Sequence, residues 1–141
     1  MPFTQRQPGY AVSIALVERT GRAVIGVVYD PVAEELYDAV LGQGMNRNGE
    51  RYERATVDAN VVRFACDCSF ESHPQREHME RGMHAVAQRL GCEAEIVVGG
   101  GAVMNACSVF EHPMACYFKQ PKMKAGGGSI WDFAATACLF Q

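Results

Sequence analysis

The sequence predicts an α/β fold in which an antiparallel hairpin or meander is followed by a βαβα unit. The first 55 residues contain β-branched runs separated by glycine turns, and the later residues alternate strand-like with helix-like segments. The 141 residues are 48% apolar and 21% charged, which is the composition of one soluble domain with a core. Within it we expect antiparallel strands over 1–55 and an α/β subdomain over 56–141.

The antiparallel part begins with two β-branched runs, "YAVSIALVE" (10–18) and "AVIGVVYD" (23–30). The turn at Thr20-Gly21 between them indicates a hairpin. A third strand is expected over 35–40. The segment "GQGMNRNGERY" then contains Asn48-Gly49, which is a strong short-range turn signal. These observations together predict an antiparallel meander.

The second part begins with a strand over 61–66. Pro74 can open a helix, and Gly91 stands just past its expected end. Apolar residues recur at helical spacing between them, namely Met79, Met83, Val86 and Leu90. We then expect a strand over 94–98, a glycine turn, a helix over 102–110, a strand over 114–118, a lysine-rich loop and a helix from 130 onward. This alternation favours parallel strands with crossover helices.

Charge and hydropathy exclude several classes of function. A net charge of -3 without a basic stripe argues against nonspecific nucleic-acid binding. No apolar run approaches the roughly 20 residues that span a bilayer. The opening "MPFTQRQPGY" lacks the features of a signal peptide, so a cytoplasmic location is expected.

The six cysteines predict buried free thiols, because most lie within apolar stretches and no secretion signal accompanies them. Cys66 and Cys68 form a C-x-C pair in a strand-like stretch, which would put both side chains on one face. No second pair stands at zinc-ligand spacing, so a structural zinc site is not expected.

Two loops could bind an anion. Gly99-Gly100-Gly101 follows a strand and opens a helix, so its backbone N–H groups could hold a phosphate, although it matches neither a Rossmann fingerprint nor a P-loop. A tight strand-to-helix turn explains these glycines equally well. Lys119, Lys122 and Lys124 could attract an anionic substrate, but solvation of a surface loop is the favoured explanation.

Two aspartates invite a metal-binding interpretation. Asp30-Pro31 fits a turn between two strands better than an acidic metal loop. Asp132, in "GGGSIWDFAA", lies beside the only tryptophan and three residues after Ser129, a good N-cap residue. An acidic residue in a first turn suits the positive end of a helix, so capping alone would explain it. A metal role would need partners, and no second carboxylate is apparent.

Four stretches in order, "PGYAVSIALV", "IGVVYDPVAEELYDAVLGQGMNRNG", "VVGGGAVMNAC" and "WDFAATACL", resemble the inositol monophosphatase family. These are magnesium-dependent, lithium-sensitive phosphatases that include the 3'(2'),5'-bisphosphate nucleotidases. The resemblance implies the αβαβα sugar-phosphatase architecture, a small phosphorylated metabolite as substrate, and Asp132 as a Mg2+ ligand. It also implies substrate contacts from the glycine turn, namely Gly99, Gly100, Gly101 and Ala102.

The chain departs from the family pattern, because it has neither the Gly-x-Glu-Glu nor the Asp-Pro-x-Asp-Gly-Thr segment. Those segments supply most of the metal ligands in the family, and Ala33 excludes Asp30-Pro31 as a displaced copy. The resemblance therefore predicts a C-terminal portion with no catalytic residue of its own, weak Mg2+ binding and no useful turnover.

Three functions stay open at this point. The first is a fragment of an inositol monophosphate phosphatase, and the second is a fragment of a 3'-phosphoadenosine 5'-phosphate phosphatase. The third is a non-catalytic remnant that forms a homodimer or pairs with a missing N-terminal half. An independent nucleotide-binding module is disfavoured by the failed fingerprints.

Overall fold

The computed structural model describes residues 8–54, 59–119 and 128–141. These residues form two compact units. The described residues of the first unit are 8–53, 101–104 and 128–141, and those of the second are 54, 59–100 and 105–119. The division predicted at residue 55 stays a prediction.

The first unit contains a five-stranded antiparallel sheet in which every strand pairs with the next one along the chain. The predicted meander is confirmed. Its strands are β1 (Val12–Val17), β2 (Ala23–Asp30), β3 (Glu35–Val40), β4 (Gly44–Arg47) and β5 (Glu50–Arg51).

The last hairpin of this sheet is closed by the predicted Asn48-Gly49 turn. Asn48 and Gly49 both have positive φ, 52° and 80°, as a two-residue hairpin turn of this kind requires. Arg47 pairs with Glu50 across it. Asp30 also forms the turn expected of it, because its Oδ1 accepts hydrogen bonds from the N–H groups of Val32 at 2.8 Å and Ala33 at 3.1 Å.

The last helix in the chain order, α3 (Ile130–Leu139), packs on one face of this sheet. Two helices, α1 (Arg76–Arg89) and α2 (Ala102–Cys107), precede it in the chain. Its buried residues are Ala134, Ala135, Thr136, Cys138 and Leu139. The contact is closest at Gly26 of β2, where an added Cβ would lie 2.3 Å from the Ala135 carbonyl oxygen. The absence of a side chain at Gly26 therefore sets the depth at which α3 sits.

The second unit contains a parallel sheet with β6 (Val61–Cys66) between β7 (Glu93–Val98) and β8 (Ala115–Tyr117). Helix α1 (Arg76–Arg89) connects β6 to β7, and α2 (Ala102–Cys107) lies between β7 and β8 in the chain. The predicted alternation and parallel pairing are confirmed. A buried cluster fills this unit: Val62, Phe64, Cys66, Phe70, Met83 and Ala87.

Some boundaries differ from those predicted. Helix α1 begins at Arg76 rather than Pro74, and α2 ends at Cys107 rather than Phe110. The α2 pattern breaks because the next N–H groups bond three residues back: Val109 N–H donates to the Ala106 carbonyl and Phe110 N–H to the Cys107 carbonyl. The sequence pattern that predicts a helix over 102–110 does not distinguish this 3-10 type of bonding from a continued α-helix.

The cysteine predictions need correction. All six are free, but Cys68 and Cys116 are exposed while Cys66, Cys107 and Cys138 are buried. Cys68 opens a 3-10 turn, Cys68–Phe70, so the C-x-C pair does not share one strand face. Cys116 lies on β8, which is at the edge of the parallel sheet among the strands that the structure describes.

Candidate functional site

Asp132 caps the helix on which it lies. Ser129 has the extended backbone of an N-cap residue, and its N–H donates to Asp132 Oδ2 at 2.7 Å. The Asp132 N–H donates in turn to the Ser129 carbonyl oxygen at 2.9 Å. This is the half of a capping box in which the N3 carboxylate reaches back to the N-cap backbone. The capping interpretation of Asp132 is confirmed.

The chain reaches this cap through Gly128, whose φ of +113° is unfavourable for any residue with a side chain. A Cβ there would lie 2.6 Å from the Phe133 ring. Gly128 is therefore required both by its backbone conformation and by the ring that lies against it. Gly126 and Gly127, the other glycines of the run, lie outside the described residues.

A complete metal site is not formed by the part of the chain that the structure describes. No three His, Cys, Asp or Glu side chains of residues 8–54, 59–119 and 128–141 converge as metal ligands would. Asp132 offers one carboxylate, and its Oδ2 already accepts a hydrogen bond. Mg2+ demands near-octahedral oxygen coordination. These residues do not fit such a site by themselves, and the role of Asp132 as a metal ligand stays a prediction.

The glycine turn lies at the carboxyl end of β7. Gly99 N–H donates to the Cys66 carbonyl oxygen at 3.1 Å, which carries the parallel pairing one residue beyond the strand. Gly100 has a φ of +59°, and an added Cβ at Gly99 would meet nothing within 4 Å. The turn is thus sharp at Gly100 and open at Gly99. Ala102 is the first residue of α2.

The predicted substrate residues are divided between the two units. Gly99 and Gly100 belong to the second unit, whereas Gly101 and Ala102 belong to the first, as does Asp132. Their shared role in substrate binding stays a prediction.

Sequence reasoning missed Asn105, which holds the glycine turn from behind. Its side chain is buried, with 7% of the residue exposed, and its Nδ2 donates to the Cys66 carbonyl oxygen at 3.3 Å. The same oxygen receives the Gly99 N–H. One carbonyl at the end of β6 therefore joins the start of the turn to the helix that follows it.

Sequence reasoning also missed Asp67, which pairs with Lys119. Lys119 Nζ lies 3.4 Å from Asp67 Oδ2, and only 21% and 15% of the two side chains are exposed. Lys119 is thus an ion-pair partner rather than a solvated lysine. Lys122 and Lys124 lie outside the described residues.

The pKa of Asp67 is lowered. Burial alone would raise this pKa, but hydrogen bonds from the Ser69 hydroxyl and N–H outweigh it, and the Lys119 charge adds to their effect. The backbone bond from Ser69 is 2.9 Å long and caps the 3-10 turn. The ionised carboxylate therefore stabilises the chain where β6 ends.

The model of the inositol monophosphatase family matches residues 1–141. The chain belongs to the inositol monophosphatase family. It is 48% identical over 140 residues to the Nus factor SuhB of Escherichia coli K12, and the match covers 99% of this chain and 49% of that protein. It is 30% identical over 144 residues to the inositol-1-monophosphatase of Mesorhizobium japonicum, again with 99% and 49% coverage.

Solved structures share the fold of this family member. The inositol monophosphate-bound structure of SaIMPase-II aligns with a TM-score of 0.70 and 20% identity, over 98% of this chain and 50% of that one. The same enzyme has been solved with 2'AMP bound, also with a TM-score of 0.70. The predicted mixed α/β fold class is confirmed. The chain spans about half the length of the relatives that it matches.

No helix in the described part of the chain is both long and apolar enough to cross a membrane.

Proposed function

We propose that this chain is part of a Mg2+-dependent phosphomonoesterase that hydrolyses a small phosphorylated metabolite such as inositol monophosphate. Membership of the inositol monophosphatase family over residues 1–141 is the observation that carries the proposal. The Mesorhizobium relative is named an inositol-1-monophosphatase, and SaIMPase-II binds inositol monophosphate, which supports the substrate class.

In this proposal the chain's own residues bind and orient. The glycine turn presents backbone N–H groups at the start of α2, where unpaired N–H groups favour an anion such as a phosphate. Asn105 and the Cys66 carbonyl oxygen keep the start of that turn in place. Asp132 contributes one carboxylate toward Mg2+ and is held by its bond with Ser129.

We assign no catalytic residue to this chain. The described residues do not assemble a metal site, and the sequence lacks the two acidic segments expected from the family pattern. We therefore expect weak Mg2+ binding and no useful turnover from the 141 residues alone.

The test is an NMR titration of the 15N-labelled chain with inositol monophosphate, with and without Mg2+. We expect ligand-dependent shifts in the Gly99–Ala102 amides and Mg2+-dependent shifts around Asp132. Asp132→Asn should remove the Mg2+-dependent shifts. Glu77→Gln is the matched control, since Glu77 is a first-turn carboxylate on another helix, α1. Shifts confined to other residues, or equal effects of the two variants, would contradict the proposal.

The second candidate substrate is 3'-phosphoadenosine 5'-phosphate, an adenine nucleotide with a phosphate on a ribose hydroxyl. The observation that favours this class is that SaIMPase-II binds 2'AMP, an adenine nucleotide whose phosphate is on the neighbouring 2' hydroxyl. Titration with 3'-phosphoadenosine 5'-phosphate discriminates the two substrates, because the better one should saturate the same glycine amides at lower concentration.

A non-catalytic role is the remaining candidate. The relative at 48% identity is named a Nus factor rather than a phosphatase. Mg2+-dependent release of phosphate from either substrate, lost in Asp132→Asn, would exclude a purely non-catalytic role. It would also contradict our expectation that the 141 residues alone give no useful turnover.

A further inference from the structure

The three strands of the parallel sheet end at one edge, and each is followed by a charged side chain or by the glycine turn. Asp67 follows β6, the Gly99-Gly100 turn follows β7, and Lys119 lies two residues after β8. Because β6 is the central strand, Asp67 lies between the glycine turn and Lys119. The carboxyl ends of parallel strands are the place where open α/β sheets bind ligands.

Asp67 and Lys119 lie on the same face of this sheet. Ala65 pairs with Tyr117 in the parallel register, and each charged residue follows two positions later. Residues two apart on a strand share a face, which explains why Lys119 Nζ lies 3.4 Å from Asp67 Oδ2. The main chain supports this placement, since Phe118 N–H donates to the Ala65 carbonyl oxygen at 3.4 Å.

The Lys119 ammonium is held at this edge by a carboxylate that is itself fixed. Asp67 Oδ1 accepts the Ser69 N–H at 2.9 Å, and Oδ2 faces the ammonium. The recess beside the pair has a volume of about 10 Å3, which is room for one water molecule at most. A cation that is already ordered in this way binds an anion at a smaller entropic cost than a mobile one.

Stability alone gives little reason for a cation at this position. Asp67 caps its 3-10 turn without one, because both the N–H and the hydroxyl of Ser69 donate to it. Only 21% of the Lys119 side chain is exposed, so pairing removes much of its hydration. The cost of desolvating two charges offsets most of their attraction. The pair therefore stabilises the fold little, whereas a partly desolvated cation attracts an anion strongly.

The ammonium lies close to the glycine turn. Gly99 N–H donates to the carbonyl oxygen of Cys66, the residue just before Asp67. Neighbouring strands lie about 4.8 Å apart, so an ammonium beside Asp67 is on the order of one strand spacing from the main chain of the turn. A phosphate ester held on the turn spans a gap of this order with its own oxygens and the carbon that carries it.

We propose that Lys119 is a substrate-binding residue whose ammonium contacts a phosphate oxygen of the ester held on the glycine turn. Asp67 is its positioning residue. The inference rests on the proposed function, which takes the glycine turn as part of the phosphate-ester site. The phosphate contacted is either the one on the turn or a second one on the same molecule, and the choice of ligand separates these two.

The experiment follows the Gly100 amide of the whole 141-residue chain by NMR during titration with inositol monophosphate or with 3'-phosphoadenosine 5'-phosphate. Lys119→Met removes the charge and keeps the length of the side chain. It should weaken binding by about tenfold or more, because a charge-assisted hydrogen bond is lost. Lys119→Arg should keep most of the affinity. A loss for both ligands would place the ammonium at the phosphate they share, and a loss for the nucleotide alone would place it at the second phosphate.

Arg63→Met is the matched control. Arg63 is a paired cation of the same sheet, with its Nε 2.8 Å from Glu95 Oε2 and 27% of its side chain exposed. It lies within β6, three residues before Cys66, rather than at the carboxyl edge. Arg63→Met should leave both affinities unchanged. Equal effects of Lys119→Met and Arg63→Met would overturn the proposal.

Two further measurements make the result independent of folding. Added salt should weaken ligand binding to the parent chain more steeply than to Lys119→Met, because the variant lacks the charge that salt screens. If circular dichroism shows that Lys119→Met is unfolded, Lys119→Met combined with Asp67→Asn replaces it, since the double variant leaves no unpaired carboxylate. Ligands that bind the parent and the Lys119 variants equally would overturn this inference and leave the proposed function standing. Ligands that never shift the Gly100 amide would overturn both.

Discussion

The contact between Gly26 and α3 makes a sharp prediction about stability. A Cβ built on Gly26 would lie 2.3 Å from the Ala135 carbonyl oxygen and 2.9 Å from Cys138 Cβ. The nearest of these atoms is backbone, which cannot rotate away. Since an ordinary contact between carbon and oxygen needs about 3.3 Å, α3 would have to retreat by about 1 Å.

The size of the effect follows from two opposing contributions. Overpacking a well-packed contact costs about 1–3 kcal/mol. Replacing glycine by alanine within a strand returns about 0.5–1 kcal/mol, because the unfolded chain has less freedom to lose. The clash is with backbone, so it outweighs the return. We expect Gly26→Ala to be destabilised by about 1–2 kcal/mol, which is a 5- to 30-fold change in the folded-to-unfolded ratio.

The assay is amide hydrogen exchange of α3 together with urea unfolding followed by circular dichroism. Exchange of the α3 amides should accelerate by about 5- to 30-fold in Gly26→Ala. Gly82→Ala is the control, because Gly82 lies inside α1 and an added Cβ meets nothing within 4 Å. It should gain about 1 kcal/mol from helix propensity. A Gly26→Ala chain as stable as the parent, with unchanged α3 exchange, would refute this account of how α3 is seated.

Three other predictions concern the second unit. The pKa of Asp67 is lowered in the folded chain, so its stabilisation is complete above about pH 4 and is lost as the pH falls through the folded pKa. Urea midpoints measured from about pH 6 down to about pH 2 should therefore fall less steeply in Asp67→Asn than in the parent chain. An unchanged slope would contradict the lowered pKa of Asp67. Asn105→Ala should lose about 1–3 kcal/mol in urea unfolding, because a buried hydrogen bond to a carbonyl is removed, and a neutral result would show that the bond contributes nothing. Iodoacetamide should label exposed Cys68 well before Cys66, since burial raises the pKa of the Cys66 thiol to about 11; mass spectrometry of the native chain that found equal labelling would contradict this.

Much of the antiparallel sheet could be predicted because its information is local. β2 and β3 were predicted with the bounds that the structure gives, since apolar runs and turns mark both ends. Strands β4 and β5 were not predicted as strands. They hold four and two residues, too few for an apolar pattern to appear, and only the turn between them was visible.

The candidate site was predicted unevenly for a related reason. Capping by Asp132 depends on Ser129, three residues away, and local spacing reveals it. Asn105 depends on the Cys66 carbonyl oxygen, which is 39 residues away in sequence. A backbone acceptor of this kind leaves no pattern of residue types. Asp67 was hidden in the same way, since its partner Lys119 meets it only once β6 and β8 lie side by side.

The position of α3 in the chain has a consequence for the order of folding. The five strands form a meander of neighbouring hairpins, and such local contacts close rapidly. The helix that lies on them is translated some hundred residues later: Cys138 meets the Ala39 carbonyl oxygen across a separation of 99 residues. On the ribosome the meander would therefore be complete long before its helix emerged. Asp132 lies on that helix, so any ligand that needs its carboxylate would bind only after the helix had packed on the completed meander.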